Sequence, residues 1–226
     1  MGICHTHAPP PILDHKMADT TQDLEQLFAE RKDLLDDISS EVYKAEMKRL
    51  PIYGWIQDLS FSHKRLAVYV KENHAIVSCR GTKGCKDWLC NIVLCCGCMR
   101  CTKVYVDDLN LVNKLQESKK FATIILTGHS RGGTTAIGIA RKLDLPACVF
   151  NPGSGCASCF ETIGDHCSHS CCHSKHEAHD ERVYDAFRVK IIRTKKDLVS
   201  LFYISAFVVE NHEGTQGFAH SMSNFE

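Results

Sequence analysis

The chain has no excess of charge of either sign: 27 lysines and arginines stand against 27 aspartates and glutamates. Binding to a nucleic-acid backbone calls for a basic stripe, so that class of partner is set aside. No apolar run approaches the roughly 18 residues that a membrane-spanning helix needs. The first residues show no apolar h-region, so no secretory signal is read, and the expected location is intracellular and cytoplasmic. No internal repeat is visible. Within those exclusions, 226 residues with 44% hydrophobic and 24% charged content suit one domain with a sizeable core.

What the chain has in plenty is cysteine, 14 residues, with 13 histidines beside it. Without a secretory signal the cysteines are expected to be reduced thiols or metal ligands rather than a disulfide framework. Eleven of them fall in two groups, six between Cys85 and Cys101 and five between Cys156 and Cys172. In the second, Cys156, Cys159, Cys167, His169, Cys171, Cys172 and His173 offer more soft ligands than the four of a tetrahedral site. A loop too polar to pack a core gains order from metal, so a structural zinc is one reading of this run. The other is a polar insertion without metal. In the first group, Cys95, Cys96, Cys98 and Cys101 would serve as metal ligands, as S-acylation sites or as apolar packing.

Along the chain, residues 1–18 contain Pro9-Pro10-Pro11 and no periodicity, and read as a disordered arm ahead of a domain over 19–226. Apolar residues at helical spacing run from Thr20 to Leu50, which suggests two helices about a break, stopped by Pro51. Residues 66–70 and 75–79 read as strands, 106–115 as a helix, 121–126 as a strand and 132–143 as a helix. Strands follow at 147–150 and 188–193. Residues 201–209 are apolar enough for either a helix or a last strand, and 154–180 reads as a Cys/His-rich insertion. Strands that alternate with helices and are apolar throughout predict an α/β fold: a mainly parallel central sheet flanked by helices.

The stretch Leu126-Thr-Gly-His-Ser-Arg-Gly-Gly133 joins one of those strands to the helix behind it. It contains Gly-x-Ser-x-Gly in the strand–turn–helix setting of a nucleophile elbow, where Gly128, His129, Gly132 and Gly133 surround Ser130. A serine hydroxyl is a poor nucleophile at neutral pH; it needs an imidazole to take its proton and a carboxylate to orient that imidazole. Asp197 follows the strand at 188–193, at the end where a doubly wound sheet gathers its functional groups, and could equally cap a helix beginning at Leu198. Two histidines come later, His212 and His220. The backbone N–H of Arg131 and a donor from the loop Arg80-Gly-Thr82 would hold the oxyanion. No cofactor is needed for such catalysis.

Taken together, Val77-Ser-Cys-Arg-Gly-Thr82, Asp87-Trp88, Asn91, Thr127-Gly-His-Ser-Arg-Gly-Gly133, Asn151-Pro-Gly153, Asp197-Leu-Val199 and His220 resemble the class 3 (fungal-type) triacylglycerol lipases. The match in order and spacing extends over residues 66–225. The resemblance implies an α/β-hydrolase fold and hydrolysis of lipid-like carboxylic esters. It implies Ser130 as nucleophile, Asp197 as acid, His220 as base, and Thr82 with Arg131 as oxyanion donors. Two departures stand out. Arg131 occupies a position that is usually Leu, which would favour anionic head groups. The Cys-rich segment 84–101 is short for the family's lid.

Met1-Gly-Ile-Cys-His-Thr6 fits an N-myristoylation signal, with Gly2 as acceptor and Cys4 placed for palmitoylation. Two acyl chains would give peripheral membrane association; the other reading is a solvated tail. Two functions therefore compete on the sequence. One is a serine lipase or esterase. The other is a catalytically inactive, metal-stabilised, membrane-associated interaction protein of the same fold.

Overall fold

The computed structural model describes residues 26, 28–81, 103–153, 188–195, 197 and 208–212, the last five by their backbone alone. Seven strands form one sheet in simple sequence order. They are β1 (Ile56–Gln57), β2 (Leu66–Lys71), β3 (His74–Cys79), β4 (Thr123–His129), β5 (Ala147–Phe150), β6 (Val189–Thr194) and β7 (Val208–His212). β1, β2 and β3 are antiparallel neighbours, and β3 through β7 run parallel. Three helices bounded within the described residues are α1 (Lys32–Glu41), α2 (Lys103–Glu117) and α3 (Arg131–Leu143).

Sequential parallel strands require every crossover to step the same way. Right-handed crossovers then put the connecting helices on one face of the sheet. The core divides accordingly. One cluster joins Val77, Leu126 and Val149 to Tyr105, Val112 and Leu115 of α2 and to Ala136, Ile137 and Ala140 of α3. The other joins Ile76, Ile125, Phe150 and Ile192 to Leu34, Leu35 and Ile38 of α1 and to Val42 just beyond it. Alternate residues of one strand therefore enter opposite clusters, as the period of two demands. In α2 the buried positions Tyr105, Asp108, Val112 and Leu115 recur at helical spacing along one side.

The helix expected to run on toward Pro51 stops much earlier, at Glu41, and only a 3₁₀ turn, Glu46–Lys48, follows. The reason is polar. Buried Arg49 donates to the carbonyls of Val42, His63 and Lys64, and Glu41 Oε1 accepts from Leu50 N at 2.8 Å. These contacts satisfy the irregular backbone that a continued helix would have satisfied internally. Met47, which fits the helical spacing, is 80% exposed. The apolar 201–209 region ends in a strand, β7, from Val208 onward. The strand forecast for 121–126 reaches His129, and the two-residue edge strand β1 had no sequence signal.

Candidate active site

The parallel strands finish together. Cys79 is registered with Gly128, His129 with Phe150, Phe150 with Ile192, and Thr194 with His212. The segments leaving these ends carry Gly81, Ser130, Asn151 to Gly153, and Asp197. All of them emerge at the carboxyl edge of the sheet, where open α/β sheets place their sites.

Ser130 sits between β4 and α3 at φ 56°, ψ −131°, a backbone conformation that L-residues rarely adopt. It is held there from three sides. Ser130 N donates to Phe150 O at 3.2 Å, and Ser130 O accepts from Thr134 N at 3.2 Å and from Gly153 N at 3.0 Å. The bond from Thr134 is the first of α3, so the positive end of that helix lies at the serine. Close approach explains the glycines. A Cβ at Gly132 would overlap Cys79 O and come within 2.7 Å of Gly81 N, and one at Gly128 would lie 2.7 Å from Cys79 O. Small residues thus let the end of β3 pack directly under the elbow.

Asp197 is 2% exposed, three residues past the end of β6, with its N–H donating to Thr194 O at 3.2 Å. Thr194 is in turn clamped by Asn151, whose Oδ1 accepts from Thr194 N at 2.8 Å and whose Nδ2 donates to Thr194 Oγ1 at 3.1 Å. Asn151 is fully buried and itself at φ 40°. Its neighbour Gly153 bonds the Ser130 carbonyl, and Gly153 O accepts from Thr134 Oγ1 at 2.8 Å. The segment 151–153 therefore ties the serine turn to the aspartate turn. β4 and β6 are two strand spacings apart, about 10 Å. An imidazole bonded through both nitrogens can span such a gap.

Of the residues expected from sequence, Ser130, Arg131, Asp197, Gly128, His129, Gly132 and Gly133 are brought to this edge. Arg131 opens α3, so its N–H belongs to the helix's first turn. Thr82 lies outside the described residues, but Gly81 beside it is in place: a Cβ there would be 3.3 Å from Ser130 Cβ. His220 is also outside them, whereas His212 ends β7 on the same edge, level with Thr194. The ligand set Cys156 to His173, the acylation sites Gly2 and Cys4, the arm 1–18 and the segment 84–101 lie outside as well. Among the described residues no group of three or more His, Cys, Asp or Glu is placed to hold a metal. No helix among them is long and apolar enough to cross a membrane. Cys79 and Cys148 are buried free thiols, and burial, reinforced by the charge of Asp108, pushes the Cys79 thiol well above its usual range.

Sequence reading gave no role to two residues of this edge, Asn151 and Tyr43. The clamp made by Asn151 had a signal in the Asn-Pro-Gly that ends β5, a turn-former straight after a strand. Tyr43 had none. It comes from the far end of the chain, just after α1, and puts its hydroxyl 3.2 Å from His129 Nδ1.

No protein-family model matches the chain, and no curated protein matches it in sequence. Among solved structures, a fungal lipase–inhibitor complex described as a model for interfacial activation in lipases is similar. The alignment covers 81% of this chain and 75% of that one, at 12% identity and a TM-score of 0.44. That degree of likeness adds nothing to the geometry above.

Proposed function

We propose that the protein is a serine hydrolase of carboxylic esters that acts on lipid-like substrates through an acyl-enzyme. The observation that carries this reading is the strained backbone of Ser130, at φ 56° on a strand–turn–helix apex. Strain of this kind costs of order 1–3 kcal/mol and persists where the surroundings enforce it, typically at functional sites. Buried Asp197 two strands away, bridged to the serine turn by 151–153, supports it.

In the proposed reaction the Ser130 hydroxyl attacks the ester carbonyl while His220 takes its proton. Asp197 orients the imidazole and stabilises the imidazolium. The N–H of Arg131 and the Thr82 loop hold the oxyanion. His220 then protonates the leaving alcohol, and water releases the acid by the same steps in reverse. The Arg131 guanidinium beside the mouth would favour anionic head groups. A structural zinc in 156–173 and acyl chains on Gly2 and Cys4 are proposed from the sequence pattern alone. The anchor would put the enzyme on the surface that holds its substrate.

The test is labelling with a fluorophosphonate probe and hydrolysis of a short-chain p-nitrophenyl ester. Wild-type protein should be labelled at Ser130. Ser130→Ala should lose both labelling and turnover with the fold intact, and Asp197→Asn and His220→Ala should each lower kcat by several orders of magnitude. An unlabelled, inactive wild type would favour the non-catalytic interaction protein. Damage from His212→Ala but not from His220→Ala would move the base to His212.

A further inference from the structure

We propose that Tyr43 is a positioning residue for the proposed oxyanion segment: its hydroxyl bridges the Gly81 backbone and the ring of His129, and so sets Gly81 against Ser130. The proposal rests on the hydrolase reading above.

The last rung tying this loop to the sheet edge is Arg80 N to Arg65 O, at 2.7 Å. The next residue, Gly81, packs on the Tyr43 hydroxyl and gives it a backbone hydrogen bond. The fit is close enough that a Cβ at Gly81 would overlap the Tyr43 hydroxyl. An oxygen that accepts from Gly81 has its own hydrogen free for His129 Nδ1, 3.2 Å away. The two rings meet edge to face, with centroids 6.2 Å apart. Burial holds the phenol up at about 12, so the donor persists across the working range of pH.

The arrangement acts on the reaction by placing one residue from each side of the chemistry on a single oxygen. His129 immediately precedes the nucleophile. Gly81 immediately precedes Thr82, whose N–H is the proposed oxyanion donor. An oxyanion donor is effective only when fixed before charge develops, because in that arrangement no reorganisation is left for the transition state. Another hydroxyl contact, between α1 and β4, joins Ser39 Oγ to Thr127 Oγ1 at 2.8 Å, and both residues are fully buried. It is a natural control for a role confined to packing.

The experiment compares Tyr43→Phe with Ser39→Ala. Tyr43→Phe should lower kcat and the rate of fluorophosphonate labelling about 10- to 100-fold, a step below the loss of an oxyanion donor itself. KM should stay within about threefold, because the effect belongs to the transition state. Ser39→Ala should leave kcat and labelling at wild-type values. In NMR hydrogen exchange, the Gly81 amide should be protected in the wild type and exposed in Tyr43→Phe, with core amides unchanged. Wild-type labelling by Tyr43→Phe, equal kcat losses in the two variants, or an unprotected Gly81 amide in the wild type each overturns the proposal. The last needs no variant to fold. A wild type that is neither labelled nor active sinks the hydrolase reading instead, and with it the catalytic role of the bridge. Protection of Gly81 would then show only that the hydrogen bond forms.

Discussion

Ser130 carries its cost in its backbone, and that cost can be measured. Glycine tolerates φ 56°, ψ −131° without the Cβ clash, so Ser130→Gly should unfold at higher denaturant than Ser130→Ala. The expected gap is about 1 kcal/mol. Equal midpoints would mean that the turn is not strained. Asn151 is the other residue whose side chain holds this edge in shape. Asn151→Ala leaves Thr194 N and Thr194 Oγ1 without their partner in a site that is 1% exposed. Stability should fall by about 1–3 kcal/mol, as for other unsatisfied buried groups. Turnover should fall further than stability predicts, because the same clamp holds the strand end from which Asp197 departs. An Asn151→Ala variant with wild-type kcat would separate the clamp from the proposed acid, Asp197.

Among the elements, α2 bears a load that its amphipathic pattern does not announce. Asp108 is 3% exposed, and its Oδ1 lies 3.1 Å from His63 Nε2 and 3.5 Å from Arg65 Nη2. His63 Nδ1 accepts from Arg65 N at 3.2 Å, so Nε2 carries the proton that faces the carboxylate. A buried carboxylate that loses one polar neighbour loses part of what offsets its charge in a low-dielectric site. His63→Ala should therefore destabilise the protein by about 1–3 kcal/mol, read by urea unfolding. Asp108→Ala in the same background should cost much less than it does alone. Additive losses in that double-mutant cycle would show that the pair does not interact. α3 is built differently: its first turn carries Gly132 because the end of β3 occupies the space, and Gly133 because Gly128 O and Pro152 come close. Gly132→Ala should displace the 80–81 segment and lower activity more than stability.

At the scale of the whole molecule, three buried acidic protons set the alkaline limit. Burial raises both Tyr43 and Tyr69 to about 12, and it pushes the Cys79 thiol well above its usual range. All three shifts favour the protonated form in the folded state. Their contribution to stability is complete below the unfolded values, near 9 for the thiol and 10 for the phenols, and is lost as pH rises through the folded ones. Thermal unfolding temperature should thus decline from about pH 9 upward. The decline should be shallower in Tyr69→Phe, measured against the same variant at pH 8. A flat profile to pH 11 would contradict the burial of these groups.

The fold class was legible because its determinants are local. Val77, Leu126 and Val149 sit in short β-branched and apolar runs, and helical spacing marks 106–115 and 132–143, within the helices Lys103–Glu117 and Arg131–Leu143. The elbow was legible for the same reason: Gly128, Ser130, Gly132 and Gly133 are needed within six residues, wherever the rest of the chain goes. Asp197 was within reach because β6 ends three residues before it. The end of α1 was not, because the groups that replace its continuation, Arg49 and the carbonyls of His63 and Lys64, come from other segments. Only the tertiary structure could bring Tyr43 to Gly81 and His129, or put Asn151 on Thr194 43 residues later. A hydrogen bond between distant residues leaves no periodicity behind. It requires that two hydrophobic faces of one sheet first be covered by the correct helices, and only that packing carries the groups into contact.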